Sequence, residues 1–160
     1  MSLLIKGTSV FKAGTEGAMF FCIHGAGLSA LSFATLAKEV KHFGTIIAAD
    51  LKGHGHSKKE NQNDDFSIET LCTETIETLK ELLQRFPEKN VVVVGHSMGG
   101  SIAARVVDAL TNIEKIERIV GCIIIDVVEG TAIEALPFMN QIISDRPKHF
   151  DSLESAIKWR

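Results

Sequence analysis

The residues best suited to chemistry lie in a glycine-rich segment, Gly95-His-Ser-Met-Gly-Gly100, which follows the β-branched run 91–94. A G-x-S-x-G pentapeptide between a strand and a helix places its serine on a sharp turn with an exposed Oγ. Glycines two residues to either side, Gly95 and Gly99, avoid steric clash in that turn. The helix N-terminus beneath the serine favours developing negative charge. The pattern therefore predicts Ser97 as a nucleophile for acyl transfer.

Two other interpretations of these glycines exist. One is a glycine turn with an incidental serine. The other is a dinucleotide-binding loop, which requires glycine at the position of Ser97 so that the backbone can approach a pyrophosphate. The sequence therefore disfavours nucleotide binding at this segment.

A second glycine turn, His24-Gly25-Ala26-Gly27, follows the apolar run 19–23. In serine hydrolases such a turn supplies one backbone N–H of the oxyanion hole, and the residue after the nucleophile supplies the other. The donors here would be the amides of Ala26 and Met98. Losing one such donor typically costs about 2.7–4 kcal/mol of transition-state stabilisation. The alternative is a plain β-turn, in which His24 is a structural residue rather than a base.

Asp126 ends the apolar run 119–125, 29 residues after Ser97. A carboxylate at the same sheet edge as the serine can orient a histidine and compensate its charge. The alternatives are an ordinary aspartate at a strand end and a helix cap. Asp50 occupies a similar position but precedes the nucleophile, so we expect it to fix the loop that follows it.

The general base is the weakest part of the pattern. In α/β sheets with this serine turn, the triad follows the chain order Ser, acid, His, and only His149 follows Asp126. No strand precedes His149 closely, which disfavours it as the base. His96 adjoins Ser97, so we expect its side chain to point away from the hydroxyl.

The pair His54-Gly-His56 has the spacing of some metal sites. Further Asp or His ligands would have to follow, whereas Ser57 and two lysines do. Charged lysines repel a cation and do not ligate it. The segment therefore predicts a solvated loop, and no metal site.

Along the chain, apolar runs typical of buried strands alternate with helical patterns. Such an alternation predicts an α/β fold with a mostly parallel sheet and helices on both faces. With no repeat or linker in sight, residues 1–160 are expected to form a single domain. The predicted strands lie within 3–11, 19–23, 45–49, 90–94 and 119–125, and the predicted helices within 30–43, 67–86, 102–110, 131–143 and 151–159.

The composition excludes several classes of protein. The chain has 160 residues, of which 45% are hydrophobic and 23% charged, as in ordinary globular domains. A net charge of −3 disfavours nucleic-acid binding. No apolar run approaches the roughly 18–20 residues of a membrane span. Cys22 and Cys122 lie in apolar runs and are expected as buried hydrophobes, and the odd cysteine count indicates a reducing, cytoplasmic or nuclear compartment.

Together these segments resemble the protein phosphatase methylesterase family of α/β-hydrolases. General hydrolase features are the two glycine turns and Asp50-Leu-Lys-Gly-His-Gly-His-Ser57. The segments 125–132 and 146–159 are specific to this family. The resemblance extends from about Phe11 to the last residue.

The resemblance implies that Ser97 is the nucleophile and Asp126 the triad acid. It implies hydrolysis of the methyl ester on the C-terminal leucine of the protein phosphatase 2A catalytic subunit. That subunit and its scaffold would be the partners, and no metal or organic cofactor is implied. Ala26 departs from the family's run of glycines, but its amide remains a donor provided that Ala26 need not adopt a positive φ.

The resemblance also implies that the catalytic histidine lies beyond Arg160. The chain would lack the C-terminal strands, contain only the start of a cap region at about 131–160, and leave the strand before Asp126 as an exposed edge. We therefore expect little or no esterase activity from it alone. The alternatives are a truncated, noncatalytic product that still binds the phosphatase, and a generic small-ester or lipid esterase of the same fold.

Overall fold

The computed structural model describes residues 1–57, 65–126, 134, 136–138, 141, 144–145 and 147–159. By their contacts, the residues form two compact units, Met1–Val127 and Val128–Arg160. Whether the second unit begins a cap on a single hydrolase domain, as the sequence predicts for about 131–160, stays a prediction.

The first unit is built on a six-stranded sheet. Its strands are β1 (Ser2–Ile5), β2 (Thr8–Ala13), β3 (Met19–Ile23), β4 (Thr45–Ala49), β5 (Val91–His96) and β6 (Ile119–Ile125). Across the sheet their order is β1-β2-β4-β3-β5-β6. β3, β4, β5 and β6 run parallel, whereas β2 is antiparallel to both β1 and β4. The predicted mostly parallel sheet is therefore confirmed.

The N-terminal segment differs from the prediction, which places one edge strand within 3–11. The structure has a hairpin instead, in which β1 and β2 are joined by Lys6 and Gly7. Both residues have positive φ, 47° and 82°. Two such residues make the tight turn whose twist matches that of the flanking antiparallel strands.

The helices are α1 (Ala34–Val40), α2 (Ile68–Arg85), α3 (Met98–Asp108) and α4 (Leu153–Trp159), with 3-10 turns at Ala30–Phe33 and Leu136–Phe138 and a π-helical turn at Ala109–Ile113. The helix predicted within 131–143 falls largely outside the described residues. The helix predicted within 30–43 begins as a 3-10 turn, in which Leu31 is 77% exposed. Among the described helices, none is long and apolar enough to span a bilayer.

Local polar contacts fix the start of α2. The Oγ of Ser67 accepts a hydrogen bond from the Thr70 N–H at 3.3 Å, which makes Ser67 the N-cap of α2. Asp65 accepts from the Thr70 hydroxyl at 2.5 Å and from the Ser67 N–H at 2.8 Å. These hydrogen bonds, that from Thr70 foremost, lower the pKa of Asp65 to about 2.

The core lies on both faces of the sheet. α2 and α3 cover one face, where buried side chains include Phe21, Ile47, Leu79, Leu82, Val93 and Ile102. The 3-10 turn at Ala30–Phe33 and α1 cover the other face, where buried side chains include Cys22, Phe33, Ile46, Ala48 and Val94. Burial raises the pKa of the Cys22 thiol to about 12, which confirms this cysteine as a small buried hydrophobe.

β6 corrects a second prediction, that the run 119–125 is buried. Only Ile119 is, whereas Val120 is 57% and Ile124 48% exposed. Cys122 is likewise exposed, contrary to the prediction. The reason is position, because β6 ends the described sheet and pairs with β5 on one side only. The expectation of an exposed edge before Asp126 is therefore confirmed.

Candidate active site

Ser97 lies on the turn between β5 and α3, as the glycine pattern predicts. Its φ of 52° and ψ of −121° place it in the left-handed half of backbone space, which non-glycine residues rarely adopt. Such strain persists only where the surrounding structure enforces it, and it concentrates at functional sites. Ser97 is half-buried, and its side chain makes no capping hydrogen bond to α3. The hydroxyl is therefore not used to hold the helix.

Close backbone packing explains the two glycines around Ser97. A Cβ on Gly95 would overlap the carbonyl oxygen of Gly99, and a Cβ on Gly99 would overlap the carbonyl oxygens of Ile23 and His24. The start of α3 therefore rests directly on the end of β3. Any larger residue at either glycine would displace the turn that carries Ser97.

The backbone of the turn is tied to its neighbours on two sides. The Ser97 N–H donates to the Ile125 carbonyl at 2.9 Å, and the Gly100 N–H donates to the Ser97 carbonyl at 2.8 Å. Met98 is the first residue of α3, so its N–H belongs to the first turn, whose amides have no partner within the helix. That position suits an oxyanion donor, and the assignment of Met98 stays a prediction.

The turn after β3 lies directly beside Ser97. A Cβ on Gly25 would lie 3.1 Å from the Ser97 Cβ and 3.0 Å from the His96 Nδ1. The Leu28 N–H donates to the Gly25 carbonyl at 3.2 Å, which closes a four-residue turn. Gly27 has a φ of 68°, whereas Ala26 is exposed and does not have a positive φ. Ala26 therefore needs no positive φ, which was the condition for its amide to remain a donor.

His24 fixes the base of this turn. Its ring is fully buried, its Nε2 accepts from the Leu51 N–H at 3.0 Å, and its Nδ1 contacts the Gly25 carbonyl at 2.8 Å. A ring that accepts at Nε2 donates at Nδ1, so this is a neutral imidazole. Burial foremost lowers its pKa. These are the contacts of a structural residue.

Asp50 organises the loop after β4, as expected. Its carboxylate is 1% exposed and accepts from the Ala30 N–H at 2.7 Å and the His56 N–H at 2.8 Å. Its backbone carbonyl accepts from the Ser57 hydroxyl at 2.5 Å. The loop is therefore held to the start of the 3-10 turn by one buried carboxylate.

His54 corrects the prediction of a solvated loop. Its ring is half-buried and contacts the Gly27 N–H through Nε2 at 3.2 Å and the Lys52 carbonyl through Nδ1 at 2.9 Å. His56 fits the prediction better, with a side chain that is 83% exposed. Within the described residues, no group of three or more His, Cys, Asp or Glu side chains could hold a metal ion.

Asp126 lies one residue beyond β6, with a φ of 54° and an exposed side chain. Its Oδ2 is 3.8 Å from the Nε2 of His96. The strand register explains this proximity, because His96 pairs with Ile125 at the ends of β5 and β6. Sequence reasoning missed the pairing, since spacing along the chain does not give the register between strands. Asp126 as triad acid stays a prediction.

His149 is exposed and belongs to the second unit. The structure of the first unit thus brings Ser97, Gly25, His96 and Asp126 together. The assignment of a general base stays a prediction.

A cavity of about 260 Å³ lies elsewhere in the first unit. It is lined mostly by apolar residues of β2, β4, the 3-10 turn and α1, among them Phe11, Phe33 and Ala48. Ser97, Ala26, Met98 and Asp126 do not line it. The cavity is therefore separate from the serine turn and its neighbours.

Comparison with known proteins places this geometry in a family. Residues 20–160 match the model of the Alpha/beta hydrolase family. Protein phosphatase methylesterase 1 of Mus musculus is 40% identical over 152 residues, which cover 94% of this chain and 38% of the relative. The protein of the same name from Cryptococcus neoformans var. neoformans is 38% identical, with 92% of this chain and 36% of the relative covered.

The chain therefore spans about two fifths of the length of these curated relatives. Among solved structures, a marine microorganism esterase superposes with a TM-score of 0.64 at 21% identity, covering 86% of this chain and 51% of the esterase. That similarity reflects the fold alone. The glycine turn at Ser97, the sheet order and the family match lead to one conclusion: the chain belongs to the alpha/beta hydrolase family.

Proposed function

We propose that this chain is part of a serine carboxylesterase of the protein phosphatase methylesterase type. The observation that carries the proposal is Ser97, held at a positive φ beside the turn at Gly25 in a chain 40% identical to a named methylesterase. The substrate would be the methyl ester on the C-terminal leucine of the protein phosphatase 2A catalytic subunit. That subunit and its scaffold would be the partners.

The reaction would proceed in two acyl-transfer steps. The Oγ of Ser97 attacks the ester carbonyl, a histidine takes the serine proton, and methanol leaves after receiving that proton. Water then attacks the acyl-enzyme and releases a free carboxylate. The amides of Ala26 and Met98 would stabilise the oxyanion, and Asp126 would hold the tautomer of the histidine.

The 160-residue chain alone is proposed to hydrolyse esters slowly or not at all. His149 is the only histidine after Asp126. The Nε2 of His96 faces Asp126, so His96 is not proposed as the general base. In a serine hydrolase, removing the triad histidine costs on the order of 10⁶ in kcat. The alternative is a truncated, noncatalytic product that binds the phosphatase without turning it over.

A fluorophosphonate probe tests whether Ser97 is activated. The chain is incubated with the probe, and the labelled peptide is identified by mass spectrometry. Because labelling needs an activated serine, a chain without the triad histidine should be labelled slowly or not at all. Any labelling that occurs should be abolished by Ser97→Ala and left unchanged by Ser101→Ala, which changes an exposed serine of α3. Labelling that survives Ser97→Ala would contradict the assignment of the nucleophile.

Substrate assays separate the remaining alternatives. For the complete enzyme, methyl release from methylated phosphatase, with no hydrolysis of a small aryl ester, supports the methylesterase, whereas the reverse result supports a generic esterase. Ester hydrolysis by residues 1–160 that is abolished by Ser97→Ala would overturn the inactivity proposal and favour His149 as the base. Phosphatase binding without labelling would favour the noncatalytic module.

A further inference from the structure

The outer edge of β6 carries backbone groups that pair with no other strand of the described sheet. The Ser97 N–H donates to the Ile125 carbonyl, which shows which backbone groups of β6 face β5. In a strand, the N–H and C=O of one residue point to the same side, and successive residues alternate. Because pairing with β5 is regular from Gly121 to Ile125, the N–H and C=O of Cys122 and Ile124 point toward the open edge.

The side chains along this edge are apolar on both faces of the strand. Cys122 and Ile124 share one face, and Ile124 is 48% exposed. On the opposite face Ile123 is 45% and Ile125 41% exposed. The pairing with β5 is irregular at the start of β6, but the run 119–125 has no charged residue and no proline, which many edge strands use to resist pairing. A strand that pairs here must therefore present apolar side chains on both of its own faces.

A second copy of β6 meets this requirement. In a closed dimer a twofold axis relates the copies, so that the same patch of each contacts the other. A symmetric parallel pair is excluded, because in a parallel ladder a residue whose backbone groups point across lies opposite one whose groups point away. In an antiparallel ladder, residues whose groups point across lie opposite each other, which the outward groups of Cys122 and Ile124 allow.

One antiparallel register pairs the whole strand. Cys122 is the middle residue of 119–125, so an axis at Cys122 extends the ladder over all of β6 and sets the two Cys122 residues opposite each other. The same register brings Arg118, just before the strand, close to Asp126 of the second copy, just after it. Opposite formal charges therefore meet at both ends of the ladder. Moving the axis by one residue shortens the paired length and separates these charges.

We propose that the chain forms a symmetric dimer through β6, in which two antiparallel strands centred on Cys122 join the two six-stranded sheets into one. The outward backbone groups of Cys122 and Ile124 gain partners, and the exposed apolar side chains of the two strands pack beside each other. This dimer is independent of the proposed esterase reaction, because neither Ser97 nor a general base takes part in it.

Sedimentation velocity of the chain in reducing buffer tests the dimer. Wild type should be dimeric at micromolar concentrations. Cys122→Pro removes an outward N–H and leaves the groups that face β5, so it should raise the dissociation constant roughly tenfold or more. Cys122→Ala is the matched control, because it keeps that N–H and should still form the dimer. Circular dichroism verifies that both variants are folded.

Two results of this experiment would overturn the proposal. A wild-type chain that stays monomeric, or that grows beyond two copies, would show that β6 does not form a closed pair, and would leave the edge for a strand of a longer polypeptide. Equal dissociation constants for Cys122→Pro and Cys122→Ala would show that the copies associate without backbone pairing at Cys122.

Disulfide formation tests the register. Opposed residues of this kind have Cα atoms about 5.5 Å apart, a separation that a disulfide spans. Diamide, which takes two electrons and two protons from a pair of thiols, should therefore convert wild type to a covalent dimer on a nonreducing gel. Cys22 and Cys72 are buried and should not react.

New cysteines in a Cys122→Ser background locate the axis. Ile124→Cys should not link to itself, because the two residues lie about 14 Å apart along the strands. A mixture of Gly121→Cys and Ile123→Cys should link, since these positions lie opposite each other. Ser101→Cys, on the exposed part of α3, controls for random collision and should stay unlinked. Faster linking of Ile123→Cys to itself than of wild type, or linking of Ser101→Cys at the wild-type rate, would refute the register.

Discussion

His96 and Asp126 face each other at the ends of two neighbouring parallel strands, with 3.8 Å between Nε2 and Oδ2. The carboxylate proposed to orient a catalytic histidine therefore lies beside a different histidine in this chain. The pair is open to solvent, since the Asp126 side chain is 77% exposed. Such pairs hold weakly, so Asp126 remains free to exchange His96 for another partner.

This weakness predicts a small effect of His96→Gln on stability. Exposed ion pairs contribute about 0–1 kcal/mol, so the free energy of unfolding should fall by less than about 1 kcal/mol. Urea denaturation followed by circular dichroism measures it, with Asp126→Asn as the reciprocal variant. A loss of several kcal/mol in either variant would show that the pair is a structural element rather than an open site.

Gly99→Ala should be strongly destabilising. Its Cβ would overlap the Ile23 and His24 carbonyls, so α3 must shift away from β3, at a cost of about 3 kcal/mol. Gly121→Ala is the control, because its Cβ would meet the Val92 side chain at an ordinary 3.6 Å. Thermal denaturation of both variants is the measurement. Equal melting temperatures would contradict the close contact between helix and strand.

Asp50→Ala should loosen the loop after β4. The substitution leaves the amides of Ala30 and His56 without their acceptor, which we expect to cost about 2–4 kcal/mol. Asp50→Asn keeps one acceptor oxygen and should lose about half as much. Chemical denaturation gives the stability, and limited proteolysis tests the loop, where faster cleavage is expected in Asp50→Ala. An unaltered cleavage pattern would exclude Asp50 as the residue that anchors the loop.

Stability should decrease as the pH falls below about 6.5. Burial lowers the pKa of His24 from 6.5 in the folded chain, so the unfolded chain binds the proton first on acidification. The loss of stability therefore begins near the pKa of His24 in the unfolded chain and ends below its pKa in the folded chain. The slope of unfolding free energy against pH should flatten in His24→Gln and persist in His42→Gln, which alters an exposed histidine. A slope unaffected by His24→Gln would assign the pH dependence elsewhere.

The exposed strand β6 should drive self-association. An unpaired edge with apolar side chains is a template for pairing with another chain. Ile124→Lys, at a side chain 48% exposed, should increase the monomer fraction in size-exclusion chromatography. Leu31→Lys removes an even more exposed leucine away from the edge and should have little effect. If both variants gave the same gain, general surface hydrophobicity would be responsible.

The turn at Ser97 could be predicted from sequence because its constraints are local. Gly95 and Gly99 are required by backbone contacts that any strand–turn–helix of this kind makes, so residue types alone identify it. The parallel sheet could be predicted for the same reason, because apolar runs such as 45–49 are typical of strands covered on both faces. All five residues of that run are buried.

Other features depend on which segments meet in space. The run 119–125 specifies a strand, but its burial depends on having a neighbour on each side, so the prediction of a buried Cys122 is wrong. The contact between His54 and Gly27 needs two loops to meet, and local residue patterns do not reveal that meeting. The pairing of His96 with Asp126 depends on strand register in the same way.

The contact of Gly99 with the end of β3 means that the serine and the turn at Gly25 move as one body. The helix and the strand cannot approach more closely here, because their backbone atoms are already in contact. If the chain belongs to an esterase, as proposed, a change in ester preference must therefore arise in residues around this turn rather than in the turn itself. Substitutions at Gly25 or Gly99 would displace Ser97 before they altered any preference for substrate.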